Sequence, residues 1–337
     1  MASSTKPGVL MLGEVVHAKA EFAALSDIAN VRSVTSGTRA EFIRDLDAGL
    51  YNDVVAISRT YDSVALTGRF DAELVAHLPP SIRFLSHNGA GYDQIDVAAC
   101  SARNISVSNT PGAVNDATAN VALFLILGAL RRAWIPQSAL RAGAWRGATP
   151  LGRDPNGLRL GILGMGGIGA ATARRAAAFG FVMQYHSRQR VDDPDGLLGE
   201  FVSFDELLRT SDVISVHVPL SPATTHLLDD AAFARMKDGV IIVNTARGPI
   251  IDEAALVRHL DAGKVWSVGL DVYEQEPAVH PGLLQHPHAV LLPHIGTVTR
   301  DTQKRMEVLV IDNVASAVTG KGLLTQVPEQ TTPKANL

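Results

Sequence analysis

Residues 158–169 read LRLGILGMGGIG, an apolar run that passes into Gly164, Gly166 and Gly169. A strand-like segment followed by the G-x-G-x-x-G spacing is the signature of a dinucleotide-binding βαβ unit. Each glycine has its own reason. The first makes the tight turn, the second lets backbone approach a pyrophosphate, and the third lets a helix pack closely on the strand. Gly167 and Ile168 fall in the first turn of that helix, whose free N–H groups attract an anion. Such units place Asp or Glu about 20 residues further on, where it accepts hydrogen bonds from the adenosine ribose hydroxyls of NAD. Here residues 181–190 read FVMQYHSRQR, and that position offers His186, Ser187 and Arg188.

Outward from this unit, short β-branched runs alternate with helix-like segments from 158 to 292, the pattern of a parallel sheet covered on both faces. The alternation predicts strands near 158–163, 181–186, 213–217, 240–244, 266–271 and 289–292. Helices are predicted at 167–179, 203–210, 229–237 and 252–262. Ser203 with Glu206 reads as a capping box, and Asp252 as the cap of the last of these helices. The N-terminal part has its own alternation, with VLML at 9–12, DVVAIS at 53–58, RFLSH at 83–87 and ISVSN at 105–109. It predicts a second, smaller α/β domain. Long helices at 115–132 and 300–319 flank the dinucleotide unit, so the C-terminal residues are expected to return to the first domain.

Composition narrows the function classes. The 337 residues are 46% hydrophobic, enough for two domains with real cores. A net charge of −4 and a pI near 6.3, with no basic run, give no footprint for nucleic acid or an anionic membrane. Cys100 stands alone, so a disulfide framework is excluded and a reducing, cytoplasmic setting is expected. The start, MASSTKPGVLMLGE, lacks a charged region followed by a long apolar segment and reads as no secretory signal. The longest apolar run, VALFLILGAL at 121–130, is too short to span a bilayer and predicts a buried helix. The polar tail TQVPEQTTPKANL is expected to be mobile. No Cys/His or Asp/Glu arrangement has metal-ligand spacing, and no metal is assigned.

Ligands of open α/β sheets bind outside the carboxyl ends of the strands, which directs attention to the residues after each strand. Three stand out: Arg247 in VNTARGP, Glu276 in LDVYEQEP and His294 in LLPHIG. A guanidinium matches two oxygens at once and so grips a 2-oxo carboxylate while polarising its carbonyl. An imidazole titrates near neutrality and delivers a proton to the oxygen that becomes a hydroxyl. A carboxylate beside such a ring favours its protonated form and fixes its orientation. Together they are the minimum machinery for reducing a 2-oxo acid. Trp134 and Trp145 read as packing or subunit contacts rather than substrate readers.

These segments together resemble the D-isomer-specific 2-hydroxyacid dehydrogenase family, through almost the whole chain. The matching stretches are HNGAGYDQID at 87–96, NTPGAVNDATAN at 109–120, GILGMGGIG at 161–169, HVPLSPATTHLL at 217–228, NTARGPIIDEAAL at 244–256, GLDVYEQEP at 269–277 and LPHIG at 292–296. The resemblance implies an α/β fold of two Rossmann-like, doubly wound domains. A central dinucleotide-binding domain, 111–298, is inserted in a smaller flavodoxin-like catalytic domain built from 1–110 and 299–337. It also implies a homodimer. Carried over residue by residue, Arg247 binds and polarises the substrate, Glu276 pairs with His294, and His294 is the proton donor or acceptor. Backbone N–H groups of Ala90 and Gly91 receive the substrate carboxylate, where glycine permits close approach. Asp271 bonds the nicotinamide carboxamide, and Val218, Pro219, Thr224, Thr245, Ala246, His294 and Gly296 complete the cofactor's surroundings. Formate dehydrogenases of the superfamily carry Gln in place of the acidic partner, so Glu276 points away from formate oxidation. The family also holds corepressors that bind dinucleotide, which leaves a dinucleotide-sensing interaction protein as the alternative class.

Within that resemblance, FVMQYHSRQR reads as an NADPH site, with NADH still possible. No carboxylate repels a ribose 2′-phosphate, Ser187 can hydrogen-bond it, and Arg188, with Arg190, can neutralise it. Similar endings in the family accompany reductases of glyoxylate, hydroxypyruvate or branched 2-oxo acids. Selectivity for the substrate side chain is expected in the loop Ser58 to Asp62.

Overall fold

A computed structural model of the chain describes residues 6–331. The opening MASST of the leader reading and the final TPKANL of the tail lie outside the described residues. Two compact units emerge, one formed by the residues up to Val114 with those from Thr299 onward, the other by Asn115–Val298.

The first unit is a parallel sheet of β1 (Gly8–Leu12), β2 (Asn30–Val34), β3 (Val54–Arg59), β4 (Phe84–His87) and β5 (Ser106–Ser108). Its order is β2-β1-β3-β4-β5, the flavodoxin-like doubly wound arrangement. Alternate side chains point to opposite faces, which divides the core in two. Leu10, Leu12 and Ile57 join Phe42, Leu74 and Leu85 on one face. Val9, Met11 and Ala56 join Ile311 and Val314 of the helix Arg300–Val318 on the other.

The second unit holds β6 (Arg159–Leu163), β7 (Val182–His186), β8 (Glu200–Phe201), β9 (Val213–Val216), β10 (Val240–Asn244), β11 (Val265–Leu270) and β12 (Ala289–Leu291). All are parallel, in the order β8-β7-β6-β9-β10-β11-β12. The order reverses between β6 and β9, so their carboxyl ends form the switch point where a ligand crevice arises in such sheets. Leu160, Ile162, Ile241 and Val243 bury one face with the helix Asn115–Leu130. That helix lies so close to β11 that a Cβ on Gly269 would stand 2.7 Å from Leu125 Cβ. Leu163, Ile214, Ile242 and Val268 line the other face. The run at 121–130 is largely buried inside this unit, and no single helix among the described residues is long and apolar enough to cross a membrane.

Differences from the sequence expectations have physical causes. β2 was not anticipated because NVRSV lies at the sheet edge with none of its residues fully buried, so no apolar run marks it. The two-residue β8 is too short to leave a pattern. Ser203 Oγ accepts the Glu206 N–H at 3.1 Å, one half of the expected box, while the complete reciprocal box belongs to Thr38 and Glu41. Asp252 caps its helix by accepting the Ala255 N–H at 2.9 Å. The tail is corrected over 325–331, which is packed rather than mobile. Val327 is buried and donates its N–H to Val107 O, and Gln330 Oε1 accepts the Val107 N–H at 2.7 Å. Trp134 and Trp145 are 51% and 71% exposed, so they do not pack in the core of their own chain.

Candidate active site

At the end of β6 the backbone turns through Gly164 at φ +100°, a conformation that glycine adopts without strain. A Cβ there would lie 2.7 Å from the Val218 nitrogen, so the turn packs against the residues that follow β9. Gly169 faces the strand so closely that a Cβ would come within 2.1 Å of Gly164 O. Gly167 would meet the Asn115 side chain at 2.4 Å. A Cβ on Gly166 meets no protein atom within 4 Å. Gly166 caps the helix Gly167–Ala177 without a side chain, and its first turn carries no acidic residue. This helix end is therefore an electropositive cradle of N–H groups. Ile168, half-buried in that turn, accepts the Thr172 hydroxyl on its carbonyl.

At the end of β7, His186 Nδ1 lies 2.9 Å from Val202 O and its ring stacks on Phe201. The imidazole is thus part of the packing. Ser187 Oγ donates to Gln189 O and closes the short turn, while Arg188 and Arg190 are exposed with no ion pair among the described residues. After β9, Val218 and Pro219 enter a loop closed by Thr224, whose Oγ1 donates to Pro219 O at 2.6 Å and accepts the Ser221 N–H at 2.8 Å. The Thr224 side chain is spent within its own loop. Thr245 differs: its hydroxyl is buried and finds no partner among the described residues. A buried hydroxyl without a partner is costly.

The carboxyl ends of β10, β11 and β12 carry the ionisable residues. Asn244, the last residue of β10, accepts the Ala246 N–H at 2.9 Å and donates Nδ2–H to Arg247 O at 2.9 Å. It thereby shapes the turn that presents Arg247, and Arg247 Nη1 donates to Ala246 O at 2.8 Å. Sequence reading passed over Asn244, although Asn after a strand is a known turn-former. Asp271, 1% exposed, accepts the N–H groups of Ile295 and Gly296 at 2.7 Å each. Burial raises its carboxyl above the usual range against the pull of those two bonds. Asp271 therefore anchors the segment that carries His294, beside whatever it offers a cofactor.

His294 stands at φ +55°, a conformation that residues with a Cβ seldom adopt and that gathers at functional sites. Its Nδ1 lies 2.7 Å from Glu276 Oε2, and each side chain keeps less than a third of its surface exposed. Glu276 Oε1 also accepts the Tyr273 N–H at 3.0 Å. Burial acts to raise the Glu276 carboxyl, but the bonds from His294 and Tyr273 outweigh it and hold the group below the usual carboxylate range. Arg247 acts on Glu276 in the same direction through its charge. A guanidinium and a carboxylate-oriented imidazole thus share one edge of one sheet. That set can grip an oxyanion and move a proton.

In the first unit, Ala90 and Gly91 follow β4. Ala90 O accepts Asn109 Nδ2–H at 2.7 Å, and His87 Nε2 lies 3.1 Å from Gly91 O. These bonds engage the carbonyls and fix the loop. No group of three His, Cys, Asp or Glu residues that could hold a metal ion occurs among the described residues.

Comparison with known proteins identifies the family. Residues 123–296 match the family model described as D-isomer specific 2-hydroxyacid dehydrogenase, NAD binding domain. The chain is 54% identical to 4-methyl-2-oxopentanoate reductase A of Aspergillus oryzae over 324 residues, covering 96% of this chain and 98% of that one. A crystal structure of a glyoxylate reductase from Paecilomyes thermophila superposes with a TM-score of 0.95 at 54% identity, covering 96% of this chain and 99% of the other. An NADPH-dependent glyoxylate/hydroxypyruvate reductase from Sinorhizobium meliloti, solved with NADP and malonate, gives 0.85 at 29% identity over 99% and 100% of the two chains.

Proposed function

The chain belongs to the D-isomer specific 2-hydroxyacid dehydrogenase family, and on that premise we propose that it reduces a small 2-oxo acid to the D-2-hydroxy acid with NADPH as reductant. The observation that carries the reading is the 2.7 Å contact of His294 Nδ1 with Glu276 Oε2, on the sheet edge that also presents Arg247. The residues present fit a dinucleotide. Gly164, Gly166, Gly167, Ile168 and Gly169 would hold its pyrophosphate, for which the open face of Gly166 leaves room. Val218, Pro219, Thr224, Thr245, Ala246, Asp271 and Gly296 would surround its nicotinamide half, with the partnerless Thr245 hydroxyl in support. Bound there, the reduced nicotinamide supplies hydride to the 2-oxo carbon.

The chain's own residues do the rest. Arg247 donates to the substrate carboxylate and to the ketone oxygen, drawing electron density toward that oxygen. Glu276 holds Nδ1 of the imidazolium, which leaves Nε2–H as the donor to the same oxygen as it becomes a hydroxyl. In the oxidative direction Nε2 takes that proton back. The N–H groups of Ala90 and Gly91 are assigned the carboxylate, as the family resemblance implies.

The preference for NADPH rests on the absent carboxylate after β7 and on exposed Arg188 beside Ser187. For substrate, the relatives point to glyoxylate, hydroxypyruvate and 4-methyl-2-oxopentanoate, since proteins so named align over nearly the whole chain. We also assign a homodimer, supported by exposed Trp134, Leu140, Trp145 and Leu151 in one stretch of chain. Sedimentation at the mass of one chain would exclude it.

The test is NADPH oxidation by the purified protein with glyoxylate, hydroxypyruvate, 4-methyl-2-oxopentanoate and phenylglyoxylate in turn. Turnover of at least one acid, faster with NADPH than NADH, is expected. Failure with all four under both cofactors would overturn the proposal.

A further inference from the structure

The loops that carry Arg247 and Glu276 are fastened to each other by residues that the mechanism above does not use. Gly248, next to Arg247, lies so close to the loop after β11 that a Cβ would stand 1.8 Å from the Tyr273 carbonyl carbon and 2.3 Å from the Glu274 nitrogen. Beside that contact two acidic residues exchange backbone bonds. Glu274 N–H donates to Glu253 Oε1 at 2.7 Å, and Glu253 N–H donates to Glu274 Oε2 at 3.3 Å. Glu253 begins the helix that follows the Arg247 turn, so the exchange ties the turn after β10 to the loop after β11 at both ends.

A third loop joins in. His226 Nε2 lies 2.7 Å from Glu274 Oε1, and the His226 N–H donates to Pro249 O at 2.8 Å. His226 stands at φ +48°, a conformation that persists in a residue with a Cβ only where the surroundings over-determine it. Next to it, Leu228 N–H donates to Ile250 O and Asp252 N–H to Leu228 O. The loop after β9 is thereby stitched to the Arg247 turn by backbone and to Glu274 by side chain.

A partly exposed contact between an imidazole and a carboxylate stabilises little by itself. Here the carboxylate sits where three loops meet, two residues before Glu276, in a segment that both Gly248 and Glu253 touch. Misplacing a reacting group by about 1 Å can cost on the order of a hundredfold in rate. We propose that Glu274, held by His226 Nε2 and the Glu253 N–H, is a positioning residue that fixes the Arg247 turn against the Glu276 segment. The proposal rests on the reading of Arg247, Glu276 and His294 as the reacting set.

The test compares the parent with Glu274→Ala and Glu274→Gln by hydrogen–deuterium exchange and by kinetics. In Glu274→Ala, peptides spanning 246–253 and 272–277 should exchange several times faster, while those spanning 163–169 keep the parent rate. With the best 2-oxo acid, kcat/KM should fall about tenfold while the Kd for NADPH stays within twofold. Glu274→Gln, which keeps an acceptor for the Glu253 N–H, should recover most of the loss. Should Glu274→Ala fail to fold, His226→Phe removes one tie and should give the same pattern at smaller amplitude. Unchanged exchange in the two peptides overturns the proposal. So does faster exchange with kcat/KM within twofold of an active parent. A parent inactive on every acid would instead sink the reading of the reaction, while the exchange rates would still decide the fastening role.

Discussion

Arg188→Ala separates the two nicotinamide cofactors in a way that can be worked from the loop after β7. A ribose 2′-phosphate carries about −1.5 to −2 charges at neutral pH and offers strong acceptor oxygens. A guanidinium–phosphate hydrogen bond is charge-assisted and contributes about 1.5–3 kcal/mol when sheltered. Arg188 is exposed, so solvent screening brings the expectation to about 1–1.5 kcal/mol, or roughly tenfold in affinity. NADH lacks the phosphate and should bind the variant within about twofold of the parent. Fluorescence titration of each reduced cofactor into the free protein reads both constants without any substrate. The tenfold difference should shrink between about 0.05 M and 1 M salt, where the screening length falls to about 3 Å. Ser187→Asp should move the preference the same way, toward NADH, by repelling the phosphate and offering the ribose diol an acceptor. A parent that binds NADH more tightly, or an Arg188→Ala variant whose NADPH-to-NADH ratio stays within twofold of the parent's, would refute the reasoning.

Gly166→Ala adds a methyl that meets no protein atom within 4 Å, so its melting temperature should stay within about 2 °C of the parent's while dinucleotide affinity drops. Gly169→Ala places the methyl 2.1 Å from Gly164 O and should cost stability itself, about 1–3 kcal/mol by chemical denaturation. Equal stability of the two variants would contradict the assigned roles. Arg247→Lys replaces a planar fork by one ammonium, and kcat/KM for the best 2-oxo acid should fall at least about tenfold, or ~1.4 kcal/mol; a smaller loss would remove Arg247 from the transition state. Because Glu276 is held below the usual carboxylate range, its contribution to stability is full above the unfolded value near about 4.3 and is lost as pH falls through the lower folded value. The melting-temperature gap between the parent and Glu276→Gln should therefore narrow from pH 6 to pH 3, and a gap that is constant or widens would contradict the pairing.

Much of the fold could be read in advance because a parallel sheet buried on both faces writes its strands as continuous apolar runs. VIIVN at β10 and RLGIL at β6 are of that kind, and the glycines between β6 and its helix fix the turn locally. β2 and β8 escaped because edge position or brevity removes the apolar run on which the reading depends. The tail misled for a related reason: TQVPEQT is polar in composition, yet one buried Val327 and the Gln330 bond to Val107 suffice to dock it. Among the candidate site residues, Arg247, Glu276 and His294 stand out in the sequence because each ionisable group follows a strand end, where open α/β sheets build their crevices. The supports were not legible. Glu253, Glu274 and His226 meet through contacts between loops distant in sequence, and no spacing rule links His226 to Glu274. The anchoring of Ile295 and Gly296 by Asp271 likewise depends on two strand ends lying side by side.

The most direct measurement of the central claim is chiral analysis of the product formed from the best 2-oxo acid, with NADPH consumption followed in the same vessel. The account predicts one D-2-hydroxy acid formed per NADPH oxidised, with loss of that activity in His294→Ala while NADPH still binds. An L-product, a racemate, NADPH consumption without hydroxy acid, or near-parental turnover in His294→Ala would contradict it.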